Sequence, residues 1–311
     1  MNELVDGMNI KNGDIVMDCT FGRGGHARAL LAAVGREGRV YAFDRDSDAI
    51  SYGKTEFAKE IESQNLVLEK SEFSKIKEFA ERNGLMGKVN AVCADIGVSS
   101  PQLDIAERGF SFMKNGPLDM RMDQAQKLSA ATVINEYSAE ELADIFFHFG
   151  EEPRARFYAK KIVERRASKL FEDTHDLAEF IKKNSPYGAS KKHPATKVFQ
   201  GLRIYINEEL TELKVFINSA FDVLAEKGRL GIIAFHSLED RIVKNSFREL
   251  AGQSAATKEE RFFRHLPVQP TITAKASLIK PFPLVPSDEE QESNPRSRSA
   301  KLRILEKNTL A

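Results

Sequence analysis

The chain has 311 residues, enough for one large domain or two ordinary ones, and its 41% hydrophobic content excludes global disorder. Its 46 Lys and Arg balance 46 Asp and Glu. A net charge of zero excludes a small protein that holds nucleic acid by bulk charge, though not a local basic surface. No apolar signal region opens the sequence and no stretch is apolar over a transmembrane length, so a cytoplasmic protein is expected. Cys19 and Cys93 both sit in apolar runs, which suits small core residues in a reducing compartment better than a disulfide framework.

The first third alternates strand and helix signals. Residues 14–20 (DIVMDCT) form a short apolar run ending in a glycine turn. A helical pattern follows, with Ala27, Leu30, Leu31 and Val34 on one face and stops at Gly35 and Gly38. Residues 39–44 (RVYAFD) are the next strand, and Asp46 is placed to cap a helix carrying Ala49, Ile50 and Phe57. Strands over 65–69 and 89–97 flank a helix over 73–82. Such alternation implies right-handed crossovers and a mostly parallel, doubly wound sheet.

The pattern then breaks. Residues 101–123 are rich in Gly, Pro, Asp and Met, as functional loops are. From Ser138 to Lys183 the sequence is helical and charged, opened by the capping box of Ser138 and Glu141. Another helical stretch runs to Lys227. Strand and helix signals resume at 229–236 (RLGIIAFH) and 238–250, with further strands expected near 272–280 and 301–306. Residues 287–299 are polar and expected to be a mobile loop. The simplest architecture is a discontinuous Rossmann-like α/β domain, residues 1–107 and 201–311, carrying an all-helical insertion over 108–200.

Four clusters carry chemistry. Asp18-Cys-Thr-Phe-Gly22-Arg-Gly24-Gly25-His26 follows the first strand, where glycines admit a ligand close to the backbone and the helix start offers unpaired N–H groups. Gly22, Gly24 and Ala27 also satisfy a dinucleotide pattern, so an NAD-dependent oxidoreductase is a rival, and a turn without any ligand fits the same letters. Asp44 ends the second strand 44 − 24 = 20 residues beyond Gly24, where an acid can accept both ribose hydroxyls of an adenosine moiety, or simply be solvated. Asp95-Ile-Gly-Val-Ser99 follows the fourth strand, on the ligand edge of an open α/β sheet. A carboxylate there can accept from an amine and tolerates a sulfonium, a need that hydride transfer lacks; the bland alternative is a polar turn. His236, Asp240 and Arg241 follow the strongest apolar strand and suit a substrate-facing role, with helix capping by Ser237 as the alternative. No zinc spacing, Walker A sequence or His-Glu-x-x-His is present, so no metal is expected. Methylation at a pyrimidine carbon needs a thiol nucleophile, which buried cysteines do not supply.

Six blocks in order resemble one family. They are residues 18–26 (DCTFGRGGH), 107–112 (ERGFSF), 117–122 (PLDMRM), 193–196 (HPAT), 235–241 (FHSLEDR) and 294–303 (NPRSRSAKLR). Together they resemble the bacterial small-subunit ribosomal RNA cytosine-N4 methyltransferases, the RsmH or MraW family, over nearly the whole chain. The resemblance implies S-adenosylmethionine as cofactor and N4-methylation of a cytidine in the decoding region of 16S rRNA, within a small ribosomal particle. By similarity Gly22, Gly24, Gly25, His26, Asp44, Phe73, Asp95 and Gln102 would contact the cofactor; on chemical grounds Asp95, or a backbone carbonyl of the loop over 95–101, is expected to hold the reacting amine, with Ser99 or Ser100 assisting. From their charge, Lys160, Lys161, Arg165, Arg166, Lys182, Lys183, Lys191, Lys192, Lys197 and Arg203 of the insertion are expected to contact RNA phosphates, with a merely solvated helical face as the alternative, and Arg296, Arg298, Lys301 and Arg303 form a second basic group. Gly201 stands where the family more often has Ala, a change expected to leave function unaltered. A non-catalytic ribosome-assembly factor on the same fold is the remaining alternative. Monomer and homodimer both fit.

Overall fold

The computed structural model describes residues 2–186, 193–253 and 274–309. The chain forms two compact units, Met1–Gly97 with Leu210–Ala311, and Val98–Glu209. The second begins before residue 108 and ends after residue 200, wider at both ends than the insertion expected from the sequence.

In chain order the first unit opens with α1 (Asn2–Met8), β1 (Ile15–Asp18), α2 (Gly25–Val34), β2 (Arg39–Asp44), α3 (Ser47–Glu56), α4 (Ala58–Glu62), β3 (Leu66–Lys70), α5 (Ile76–Arg82) and β4 (Val89–Asp95). The second unit contains α6 (Ser100–Asp104), α7 (Ala130–Glu136), α8 (Ala139–His148), α9 (Ala155–Arg166), α10 (Thr174–Lys183) and α11 (Thr196–Ile206). Then come α12 (Glu209–Val223), β5 (Leu224–Ala234), α13 (Ser237–Leu250), β6 (Ala276–Leu284), α14 (Asp288–Ser293) and β7 (Lys301–Lys307).

The seven strands form one sheet in the order β3-β2-β1-β4-β5-β7-β6. The first five in that order pair in parallel, and β7 runs antiparallel to both β5 and β6. Successive strand side chains alternate between faces, so the sheet carries two cores. Met17, Tyr41, Phe43 and Val92 pack on one face against Phe216, Ile217 and Phe247. Val16, Val40, Ala42 and Cys93 pack on the other against Leu30, Val34 and Phe57. The helical unit has a separate core built around Phe146, Ile162, Phe171, Leu177 and Leu202.

Caps fix several helix starts. Asp46 accepts the Asp48 N–H at 3.0 Å, and Ser138 and Glu141 close the expected capping box. Four expectations need correction. The helix expected to reach Lys227 stops at Val223, and β5 begins at Leu224 rather than near residue 229. Residues 287–299 are not a loop throughout but carry α14 and a 3-10 turn, because the Ser287 hydroxyl accepts the Glu290 N–H at 3.2 Å and three acids fill the first turn of α14. The helix expected from Phe73 opens as a 3-10 turn, Phe73–Lys75, before α5. The cap of α13 is His236, not Ser237. The start of the strand expected over 272–280 lies outside the described residues. Gly201 also matters more than composition suggests. It is buried in α11, and a Cβ there would lie 3.0 Å from Gly150 N and from Ile145 O.

Candidate active site

Three parallel strands end in aspartate: β1 in Asp18, β2 in Asp44 and β4 in Asp95. Parallel strands run the same way, so all three carboxylates stand at one edge of the sheet, the carboxyl rim where ligands of open α/β sheets bind. Backbone ties lock the turn after β1 to its neighbours. Cys19 N–H donates to Cys93 O at 2.8 Å and Phe21 N–H to Phe43 O at 2.9 Å. Asp95 N–H donates to Thr20 Oγ1 at 2.7 Å.

The glycine turn is tight for a steric reason. Gly24 has φ 72° at the start of α2, and a Cβ on it would meet the Phe57 ring at 2.5 Å. The Gly22 N–H donates to Asp44 Oδ2 at 2.8 Å, and the Asp46 N–H to Asp44 Oδ1 at 2.9 Å. Asp44 is therefore held in one orientation by its own backbone surroundings. Burial raises its carboxyl above the usual range, and the two N–H donors pull it back.

The other two acids are less well satisfied. Asp18 is 1% exposed; Oδ1 accepts the Thr20 N–H at 3.2 Å, while Oδ2 is buried with no hydrogen-bond partner among the described residues. Burial pushes its carboxyl up to about 7, and the negative Asp44 adds to the push. Asp95 keeps 32% of its side chain exposed, yet its Oδ1 is likewise buried without a partner. Burial, then the charges of Asp18 and Glu239, raise it to about 7. His26 Nδ1 lies 3.9 Å from Asp95 Oδ2. Burial lowers the imidazole to about 4, so His26 is neutral at physiological pH and does not balance the acid.

The remaining expected residues separate into groups. Gly22, Gly24, Gly25, His26, Asp44 and Asp95 lie together at the rim of the first unit. Phe73, just past β3, is half-buried with its ring edge-on to Phe216 at 5.0 Å. Ser99 and Gln102 belong to the second unit, where Ser99 caps α6 and its N–H donates to Gln102 Oε1 at 2.9 Å. His236 turns both ring nitrogens to Glu239: Nδ1 accepts the Glu239 N–H at 3.4 Å, and Nε2 lies 2.9 Å from Glu239 Oε1. Asp240 is held by Arg303 at 2.8 Å and Lys301 at 3.2 Å, and these cations keep its carboxyl below its usual range despite burial. This network joins α13 to β7, a structural arrangement that the sequence motif did not disclose. Asp18 was missed as a site residue although it stood in the glycine motif. The available signal was an acid closing an otherwise apolar strand.

Of the expected phosphate contacts, several are engaged internally. The Arg165 guanidinium donates to both carboxylate oxygens of Asp176, at 2.6 and 2.7 Å, and stacks over Phe171 at 3.9 Å. Arg166 donates to Ile134 O at 2.6 Å and to Tyr137 O. Arg203 pairs with Glu209, Lys161 with Glu164, and Lys182 with Glu179. Arg165 and Arg166 are used in helix packing because neighbouring elements supply an acid and open carbonyls, which sequence cannot show, whereas Lys161 and Lys182 pair with acids three residues away on their own exposed helix faces. Lys191 and Lys192 lie outside the described residues.

The sequence profile of the MraW methylase family matches residues 1–308. The chain belongs to that family. It is 43% identical over 307 residues to the ribosomal RNA small subunit methyltransferase H of Legionella pneumophila (strain Corby), covering 99% of this chain and 97% of that one. It is 44% identical over 310 residues to the protein of the same name from Shewanella frigidimarina, covering 99% and 96%. Among solved structures, an rRNA methylase of Streptococcus thermophilus aligns over 99% of this chain and 93% of its own, with 10% identity and a TM-score of 0.42. The fold assignment rests on the sheet described above and not on that likeness. As a member of its family the protein is a methyltransferase, and its methyl donor is S-adenosylmethionine. The donor set at the rim suits that group. Buried carboxylate oxygens lacking donors favour a cationic partner, and the turn is open at Gly22, where a Cβ would meet nothing nearer than Thr20 O at 4.0 Å. Membership in a methylase family leaves the oxidoreductase reading with only the glycine pattern behind it.

Proposed function

We propose that this protein methylates the N4 amine of a cytidine in the decoding region of 16S rRNA, acting in the cytoplasm on a small ribosomal particle. The relatives named above support the small-subunit rRNA part of that reading. The observation that carries the chemistry is Asp95, a carboxylate at the rim with one open face and one oxygen awaiting a donor.

S-adenosylmethionine supplies an electrophilic methyl carbon. Asp44, preset by the Gly22 and Asp46 amides, accepts from ribose hydroxyls. The turn over Gly22, Gly24 and Gly25, with His26, would line the cofactor, Phe73 would hold its adenine, and the buried Asp18 would favour its positive charge. Asp95 takes one N4 hydrogen and favours the charge that develops as the amine attacks, with Ser99 assisting and Gln102 holding the loop. The amine is a weak nucleophile, since its lone pair is delocalised into the ring. Orientation therefore contributes most, roughly 7–11 kcal/mol in well-aligned reactions. Reaction at a ring carbon is disfavoured. Cys19 and Cys93 are 2% and 1% exposed, and burial pushes both thiols well above their usual range. The helical unit carries the RNA-facing surface, and the target base leaves its stack at a cost of a few kcal/mol.

The test is methylation with labelled S-adenosylmethionine of small ribosomal particles and of naked 16S rRNA, with nucleoside mass spectrometry of the product. The expected product is N4-methylcytidine, formed faster on the particle. A product modified at another atom, or equal rates on naked RNA, would overturn the corresponding half of the proposal.

A further inference from the structure

One region of the helical unit keeps its aromatic and basic side chains outside. Where α8 gives way to α9, the chain leaves a groove of about 600 Å³ whose walls include Asp144, Phe147, His148, Arg154, Arg156 and Phe157. Two large apolar rings are left open to solvent there, Phe147 at 57% and Phe157 at 38%. Phe147 stands edge-on to His148 at 5.1 Å. The Arg154 guanidinium lies over the Phe157 ring at 4.2 Å and the Tyr158 ring at 5.2 Å. Arg156 is exposed, and one helical turn onward Lys160 keeps 77% of its side chain exposed, with Glu164 at 4.0 Å. This basic track differs from Arg165, Arg166 and Arg203, which the fold engages internally.

Flat rings with a guanidinium stacked on one of them, bordered by accessible cations, match the two faces of a single-stranded nucleic acid. Bases present π-surfaces and the backbone presents phosphates. A duplex hides its base faces and offers only phosphates and groove edges. We propose that this groove holds single-stranded RNA, bases against Phe147 and Phe157 and phosphates on Arg156 and Lys160. The proposal rests on the rRNA reading and deepens it: the enzyme engages unpaired nucleotides by stacking, through a site on the helical unit.

The test is fluorescence anisotropy with the full chain and 12-nucleotide poly-uridine and poly-adenosine probes, beside an RNA duplex of equal length. The double variant Phe147→Ala/Phe157→Ala is expected to bind the single strands roughly tenfold more weakly, with duplex affinity unchanged. Phe147→Tyr/Phe157→Tyr is expected to restore single-strand binding, which a folding defect would not permit. Wild-type affinity in the alanine variant overturns the proposal. So does a wild-type dimer that falls apart in that variant with RNA affinity intact, which would make the groove a seat for a second copy. Wild-type turnover on small ribosomal particles, run in parallel, reports separately on the rRNA reading. Absent turnover with stacking intact sinks that reading and leaves the groove a nucleic-acid site. Normal turnover with no loss in the alanine variant sinks the groove alone.

Discussion

The rim of the sheet and the interior of the helical unit treat charge in opposite ways. At the rim, Asp18 and Asp95 each bury an oxygen with no donor among the described residues, and the neutral His26 beside Asp95 does not compensate. In the helical unit, Arg165 finds Asp176, Arg203 finds Glu209, and Arg121 finds Asp119 at 2.6 Å while also donating to Gln124 O and Gln126 O. A buried carboxylate without a partner costs stability, so its persistence points to a partner that arrives later. A satisfied ion pair points to architecture. The contrast separates residues held for a ligand from residues held for the fold.

The largest expected effect lies at the rim. Asp95→Ala should lower turnover by roughly 10²–10³ while S-adenosylmethionine affinity, read by calorimetry, changes far less. Unchanged turnover would remove Asp95 from catalysis. The second effect is on stability. Asp18 is raised to about 7 in the folded protein against an ordinary value near 4. For an acid with a raised folded pKa, stability is full below the unfolded value and is lost as pH climbs through the folded one. Thermal transitions should therefore fall between about pH 4 and pH 7, by on the order of 4 kcal/mol at most. Asp18→Asn should make that slope shallower, with Asp95, raised to the same value, keeping part of it, and an equally steep profile in the variant would refute the assignment. Third, Arg165→Met should destabilise the helical unit by about 1–3 kcal/mol, measured by denaturant unfolding, without altering cofactor affinity. A large loss of RNA affinity with stability intact would instead return Arg165 to the substrate surface. The smallest effect is expected at Asp44→Ala, about tenfold in S-adenosylmethionine affinity, since the acid contributes hydrogen bonds rather than the reacting group.

Much of this was legible in the sequence, and the limits are physical. The strand over 39–44 and the caps at Asp46 and Ser138 are local, set by apolar runs and side chains that reach their own backbone, so they emerged at the observed positions. The glycine turn and Asp44 were visible because their spacing reflects one βαβ crossover. What failed was long-range. Nothing local told that β7 would insert between β5 and β6, or that Lys301 and Arg303 on it would hold Asp240. The basic run in α9 looked uniform in sequence, yet Arg165 faces Asp176 on another helix while Arg156 faces outward. Capping of α13 by His236 was missed because serine is the commoner cap and the imidazole needs Glu239 three residues on.

The sheet order bears on how the polypeptide is made. Residues 98–209 are contiguous, and their core draws on no strand, so that unit can condense as soon as its own segment leaves the exit tunnel. The first unit cannot close then. Its fourth strand must wait for β5, and β5 for β7, which lies more than 90 residues beyond the last residue of the helical unit. The later-emerging half of translation thus completes the earlier one, and nascent β1–β4 spend an interval with an unpaired edge, the condition in which chaperone contact matters most.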